Sequence, residues 1–441
     1  MAESTTSAEP STGRPTTPAA ADPSGRNTVV LVVFTAITNL ADGVLKVALP
    51  LIATTLTKSP ALISGVLMTL MLPWLFTALH VGVLVDRFDR RKLLWLANIV
   101  RVAVVGSFLI LAMMERSNLP ALYVGGVLLG VAEVVALTSA AALIPTAVSA
   151  PGRQRANAWL TGAETVCNEF IGPFLGGLLV AAGAAFALGA TGLAYALTTL
   201  TLVLLVGRFR AARAAGDAPR PTVHAQIGEG LRVLWQQRVL RVMTLLVGVL
   251  CSLWGAWLAL MPLYATEQMG VSTANYGLLV GALGAGGTVG TLLVSAFNRL
   301  FGRRQVMFAN IFLTAAMVAF PAFSTNVWLA GVGAFLGGLG SGLWVVNSRT
   351  VSQTLVPPDM MGRYSAASRL FGWGSSPIGA GVAGLLAEWF GPRTAFAVFT
   401  VIALTVVVPF LRDFSPKVAA ETEAKIAAEA QPSQPVVPSE S

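Results

Sequence analysis

The chain has 441 residues, of which 55% are hydrophobic and only 11% are charged, against roughly 25% charged residues in an ordinary soluble domain. The net charge of +9 could indicate a nucleic-acid-binding protein, but the arginines occupy short segments between apolar runs of about 20 residues, each long enough to cross a bilayer. The composition therefore excludes a soluble nucleic-acid-binding domain and predicts an all-α membrane protein.

In chain order, the first element is a Ser-, Thr- and Pro-rich tail at 1–28, which we expect to be disordered because it has no apolar core. A six-span bundle at 29–207 follows, then a linker at 208–239 whose second part is typical of an amphipathic surface helix, then a six-span bundle at 240–412. A polar tail at 413–441 ends the chain, with room for one short helix over Ala419–Ala430. The twelve spans are predicted near 29–56, 61–85, 93–114, 119–148, 157–184, 187–207, 240–266, 274–297, 306–324, 327–348, 364–388 and 393–411.

The two bundles share an internal repeat in the loop after their second span. The Asp-Arg pair at 86–87 corresponds to Asn-Arg at 298–299, and the basic pair at 91–92 corresponds to the basic pair at 303–304. Internal repeats of this kind are typical of secondary transporters. We therefore predict two pseudo-symmetric six-helix bundles around a central cavity. The register continues in the fourth spans, where Gly125, Gly126 and Gly130 reappear as Gly337, Gly338 and Gly342.

The basic residues also predict the orientation of the protein, because cytoplasmic loops carry an excess of Lys and Arg. With both termini in the cytoplasm, the outer loops hold only Lys58, Arg116 and Arg393. Nearly all other basic residues then face the anionic inner leaflet. We expect a multi-pass protein of the cytoplasmic membrane with lipids as partners, acting as a monomer.

The loop at 82–92 is similar to the signature of the major facilitator superfamily in the loop between spans two and three. That signature is a Gly, then Asp-Arg, then a basic cluster; Asp89 stands where a Gly is common. The resemblance implies a carrier with alternating access. The matching positions are Gly82, Asp86, Arg87, Arg90 and Arg91.

A second match, in the fifth span, resembles a Gly-Pro-x-x-Gly-Gly motif associated with antiporters of this superfamily. Asn168 and Trp159 stand where further glycines of this motif are expected. In span four, the Arg often found in proton-coupled drug exporters is absent, and that helix contains Glu133 instead. The stretches at 39–43 and 155–158 add similarity to the bacterial drug, macrolide and siderophore exporters. The motif positions are Gly172, Pro173, Gly176 and Gly177.

Both motifs have a physical interpretation apart from the resemblance. Asp86 ends span two and can interact with the positive N-terminus of span eleven, near residue 364, so that the loop would latch the two bundles on the inner side. Alternatively, the basic cluster only sets topology. Asn298 should bond more weakly to the corresponding end of span five. The small residues of 172–177 permit a close helix crossing, which is nearly as good an explanation as a specific antiport device.

Ionisable residues inside the spans carry the strongest functional information, because a charge at mid-membrane is costly and normally faces a cavity or a partner. Asp42 precedes Lys46 by one turn of span one, which favours an ion pair, either static or functional. For Glu133 and Glu164 we favour a role with protons or a cationic substrate over bonding to a neighbouring helix. The second bundle, with Trp254, Trp257 and few polar groups, should form a mainly apolar and aromatic wall. The full candidate set for the cavity is Asn39, Asp42, Lys46, Arg101, Glu133, Glu164, Asn168, Trp254 and Trp257, with Arg101 expected to pair with an acid.

We therefore predict a secondary transporter that exports amphipathic or lipophilic organic compounds in exchange for protons. We expect no enzyme activity, metal or cofactor, because Cys167 and Cys251 lie in apolar runs and no phosphate-binding loop for ATP occurs. One alternative is uptake or facilitated diffusion of a metabolite by the same fold. Another is a lipid-handling or sensory membrane protein.

Overall fold

The computed structural model describes residues 24–149, 152–206, 228, 232, 234–356 and 360–430. Within these residues the chain forms long helices joined by short turns. The α-helices are α1 Ser24–Leu56, α2 Pro60–Arg87, α3 Arg90–Met113, α4 Leu119–Ala147, α5 Arg153–Glu164, α6 Gly172–Ala182, α7 Ala184–Thr201, α8 Arg238–Glu267, α9 Thr273–Phe301, α10 Arg303–Phe323, α11 Val327–Leu355, α12 Met361–Phe390, α13 Pro392–Thr405, α14 Val407–Asp413 and α15 Pro416–Ala430. A π-helix at Thr165–Ile171 joins α5 to α6, and a 3-10 turn at Leu202–Leu204 follows α7.

Twelve segments of the described chain are long and apolar enough to cross a membrane, which confirms the predicted all-α membrane fold. Span five combines α5, the π-helix and α6, and span twelve combines α13 with α14. The first span begins earlier than predicted, at Ser24 instead of residue 29. Its extra turn is held by Asn27, which donates hydrogen bonds of 3.0 Å to the carbonyl oxygens of Ala147 and Val206.

The C-terminal tail contains the predicted short helix, which begins at Pro416 and docks on the second half. In α15, Thr422 is buried, and Arg303 Nη1 lies 3.3 Å from Glu423 Oε1. Arg304 Nε donates a 2.6 Å hydrogen bond to the carbonyl oxygen of Phe414 just before this helix. Residues 1–23 of the N-terminal tail lie outside the described residues, so the disorder predicted for them stays a prediction. Most of the linker at 208–239 also lies outside the described residues.

Asp89, the departure from the loop signature, has a clear local role. It precedes α3 as its N-cap, and its Oδ1 accepts hydrogen bonds from the backbone N–H groups of Arg91 at 2.9 Å and Lys92 at 3.3 Å. An Asp at this position satisfies N–H groups that have no partner within the helix. The carboxylate therefore fixes the start of α3 directly after α2.

The two six-helix halves pack together at one end of the bundle, the closed end, where α1 ends and α2 begins. A core there combines Val47 and Leu51 of α1 with Leu253 and Trp257 of α8. At the other end, the basic end, α2 ends at Arg87 and α3 begins; there the buried clusters among the described residues each draw on one half. Polar contacts add to the closed end: Lys58 pairs with Glu267, and Ser59 Oγ donates a 2.6 Å hydrogen bond to Glu388 Oε2.

The glycines of the 172–177 motif form the closest helix crossings around span five. A Cβ on Gly172 would lie 2.8 Å from Gly43 Cα, and one on Gly176 would lie 2.7 Å from the carbonyl oxygen of Val44, both in α1. Gly177 faces Gly277 of α9, in the other half. The motif therefore packs span five against α1 within its half and against α9 across the halves.

Gly176→Ala tests the packing role of this crossing. The added methyl group must displace the α1 backbone, and overpacking of this kind costs about 1–3 kcal/mol, so we expect a lower unfolding temperature. Gly106→Ala is the matched control, because a Cβ on Gly106 in α3 meets nothing within 4 Å; its gain in helix propensity is about 0.5–1 kcal/mol. Equal thermal unfolding of the two purified variants would contradict the role of Gly176 in packing.

Candidate functional site

A cavity of about 350 Å³ lies between the two halves. Its walls come from both halves, and it extends from the level of Lys46 and Leu258 towards Ser348 and Ser368, that is, towards the basic end. The closed-end core lies beyond Leu258. The lining residues are Lys46, Met71, Trp74, Glu133, Thr165, Glu169, Phe170, Val247, Leu250, Cys251, Trp254, Leu258, Asn310, Thr314, Ser341, Trp344, Val345, Ser348, Ser368, Gly372 and Ser376.

The carboxylates and the one ammonium in this lining all belong to the first half: Lys46, Glu133 and Glu169. Lys46 Nζ lies 3.3 Å from Glu169 Oε1. Asn168 Nδ2 donates to Glu133 Oε1 at 3.3 Å and to Asn39 Oδ1 at 2.9 Å. These contacts join α1, α4 and the π-helix into one polar wall.

The π-helix explains why two consecutive residues, Asn168 and Glu169, both contribute contacts to this polar wall. An α-helix turns about 100° per residue, so a regular α-helix would place Glu164 and Asn168 on one face. The wider π turn at Thr165–Ile171 changes that register; Glu169 lines the cavity and Asn168 is buried behind it. Glu164, in the preceding α5, is not among the lining residues. Glu169 is thus a site residue that the candidate set omitted, and π segments often occur at functional sites.

The intrahelical Asp42–Lys46 pair predicted for α1 is replaced by pairs to other helices. Asp42 Oδ2 accepts a 2.8 Å hydrogen bond from Arg101 Nη2 of α3, and Asp42 Oδ1 accepts a 2.6 Å hydrogen bond from Tyr195 Oη of α7. Arg101 also lies over the Tyr195 ring, with its Cζ 5.2 Å from the ring centroid. An exposed intrahelical pair contributes only about 0.2–0.5 kcal/mol, whereas a buried charge requires a close and well-oriented partner. Asp42 and Arg101 therefore form a buried cluster beside the cavity, and they do not line it.

The second-half wall is more polar than expected. Trp254 lines the cavity as predicted, but Trp257 is fully buried in the closed-end core. Uncharged polar groups accompany the aromatic rings of the wall, and these groups escaped notice because single hydroxyls hardly lower the hydropathy of a span. They are Asn310, Thr314, Ser341, Ser348, Ser368 and Ser376.

The basic-end loop can be described in part. Arg87 is exposed, and Arg91 Nη2 donates a 3.3 Å hydrogen bond to the carbonyl oxygen of Val203. The side chain of Asp86 lies outside the described set, so the latch stays a prediction. Asn298 Nδ2 donates a 2.8 Å hydrogen bond to Asn347 Oδ1 of α11, within its own half, and its weaker contact with span five stays a prediction together with the latch.

Comparison with known proteins gives a consistent match. A sequence model of the Major Facilitator Superfamily matches residues 31–372 and 261–438. The chain is 26% identical over 399 residues to the multidrug efflux pump Tap of Mycolicibacterium fortuitum, covering 88% of this chain and 96% of that protein. It is 28% identical over 376 residues to the enterobactin exporter EntS of Salmonella typhimurium, covering 84% and 87%. The solved structure of the nucleoside transporter NupG superposes with a TM-score of 0.66 at 13% identity, covering 88% of this chain and 99% of that one.

Asp42→Asn should destabilise the fold. The substitution leaves the fully buried Arg101 without its carboxylate, and breaking a buried pair in this way costs about 3–5 kcal/mol. Glu267→Gln is the control, since its partner Lys58 is largely exposed and such a surface pair is worth about 0–1 kcal/mol. Thermal unfolding in detergent measures both changes, and an Asp42→Asn protein as stable as the control would show that the cluster does not hold α1.

Proposed function

The chain belongs to the major facilitator superfamily, and we propose that it exports amphipathic or lipophilic organic compounds across the cytoplasmic membrane by alternating access, in exchange for protons. The observation that carries this proposal is the cavity between two halves that meet at one end. The charged side chains of its lining lie in one half, most of its uncharged polar groups lie in the other, and aromatic rings come from both. Such a division lets one half handle the coupling ion while the other holds the solute.

The walls favour an organic solute with both apolar and polar parts. Trp74, Trp254, Trp344 and Phe170 provide flat apolar surfaces, and sites for small organic molecules are largely apolar with a few polar groups that orient the ligand. The relatives named as a multidrug efflux pump and an enterobactin exporter support export as the direction. The basic end would then face the cytoplasm, in agreement with the positive-inside rule.

Coupling to protons is supported by the two carboxylates of the cavity. Glu133 and Glu169 are embedded at lipid depth, where an ionised group is costly and protonation removes the charge. Asp42 is held by Arg101 and Tyr195 and is not part of the cavity lining, which favours the two cavity acids as the proton site. Protonation of either acid would change the net charge of the cavity wall and its attraction for a solute.

Glu133→Gln and Glu169→Gln should each lower export driven by a pH gradient by about tenfold or more, because a Gln cannot take up and release the coupling proton. The measurement is transport of a fluorescent lipophile in inverted vesicles with and without an imposed pH gradient. Exchange of the lipophile without a gradient should persist in one of the two variants.

The matched control is Glu115→Gln, an exposed carboxylate after α3, which should transport normally. Normal pH-driven export in both cavity variants would exclude proton coupling through these acids. Accumulation in the opposite direction would instead favour an uptake carrier.

Cys251 offers a natural reporter of alternating access. Its free thiol lines the cavity, so in a Cys167→Ser background a membrane-impermeant maleimide should label it from the basic side, and a bound substrate should slow the labelling. Labelling in right-side-out and inverted vesicles gives the result. A Cys251 that is not labelled from the basic side, or whose labelling the substrate does not change, would argue against a substrate cavity that opens to that side.

A further inference from the structure

The ionisable groups of the cavity are not balanced. Lys46, Glu133 and Glu169 line it, so the wall carries more negative than positive charge when all three are ionised. The rest of the lining is uncharged, and the buried Asp42–Arg101 pair beside it is balanced within itself. An uncompensated carboxylate is costly there, which makes the wall a place where a cation is favoured.

Lys46 forms an ion pair with one of the two cavity carboxylates, that of Glu169. Its Nζ lies 3.3 Å from Glu169 Oε1, and the side chains are 8% and 33% exposed, respectively. The ammonium is therefore enclosed, whereas the carboxylate retains a face towards the cavity. Glu133 is only 6% exposed and accepts a hydrogen bond from Asn168, so Glu169 is the more accessible acid for a ligand.

We propose that Lys46 is a specificity-determining residue, a tethered substitute for the positive group of the substrate, and that the substrate is an organic cation whose charge takes the place of the Lys46 ammonium at Glu169. This inference rests on the proposed function, since it assigns a substrate class to the same cavity. Trp74, Trp254 and Phe170 line the cavity with these groups, and aromatic faces attract cations in a desolvated site.

The exchange keeps Glu169 compensated throughout the cycle. The Lys46 ammonium balances it in the empty cavity, the cationic group balances it in the loaded one, and Lys46 returns after release. A neutral lipophile cannot displace Lys46 by charge and gains only the apolar contacts. Lys46 therefore lowers the affinity for cations and leaves the affinity for neutral compounds of the same shape unchanged.

The test is equilibrium binding of tetraphenylphosphonium, a lipophilic monovalent cation, to the purified full-length protein without any gradient. Lys46→Gln removes the internal competitor, and we expect about tenfold tighter binding, the factor that corresponds to about 1.4 kcal/mol. Lys46→Arg keeps the charge and should bind like the wild type. Triphenylphosphine oxide, a neutral compound of similar shape, should bind the wild type and Lys46→Gln equally.

Lys58→Gln is the matched control, because it removes another Lys–Glu pair, with Glu267 at the closed end and outside the cavity; its cation affinity should not change. Glu169→Gln provides a second, independent variant and should weaken tetraphenylphosphonium binding by about tenfold. The proposal is overturned if folded Lys46→Gln binds the cation no tighter, if the neutral compound gains equally, or if Glu169→Gln binds normally. Because binding is measured without a gradient, such a result leaves proton-coupled export intact, while failed pH-driven export leaves the binding result intact.

Discussion

Ionic groups within a lipid-spanning bundle are tolerated only when each has a partner, and this constraint organises the first half of the protein. Asp42 is paired with Arg101, and Lys46 is paired with Glu169. Asp42 and Lys46 lie one turn apart on α1, but their partners belong to different elements, α3 for Asp42 and the π-helix for Lys46. The first pair ties α1 to α3 inside the half, and the second lies at the cavity. One helix thus combines an anchored charge with one that a ligand can compete for.

The backbone of span five makes this arrangement possible. Its π-helix at Thr165–Ile171 brings Glu169 to the cavity, while the glycines that follow let α6 lie against the α1 backbone. Gly43 faces Gly172 at this crossing, so neither helix has a Cβ that would hold them apart. The wide turn of the π-helix is therefore followed directly in the sequence by the closely packed glycines of α6. The polar wall between α1 and span five depends on both, because the 3.3 Å contact of Lys46 with Glu169 spans that crossing.

Much of the fold could be predicted from the sequence, and less of the site. Long apolar runs and the repeated loop suffice to predict the spans and their two halves, since length and hydropathy govern insertion. The sequence predicted that Arg101 pairs with an acid, as it does with Asp42, but not which acid, because spacing along one helix reveals only neighbours on that helix. Glu169 was left out because a π turn does not follow the α-helical period. Ser341 and Ser376 were overlooked because small uncharged side chains leave no mark on an apolar span.

The two halves share a fold but differ in their electrostatics, and this difference follows from the repeat itself. Where the first half has Asp86, the second has the neutral Asn298, which bonds Asn347 in its own half. Arg303 therefore has no carboxylate in the corresponding loop position and lies instead beside Glu423 of the C-terminal helix. The cavity repeats the pattern, with its acids in the first half and most of its hydroxyls in the second. A duplicated bundle thus retains one architecture while only one copy holds the embedded charges on which coupling to an ion would depend.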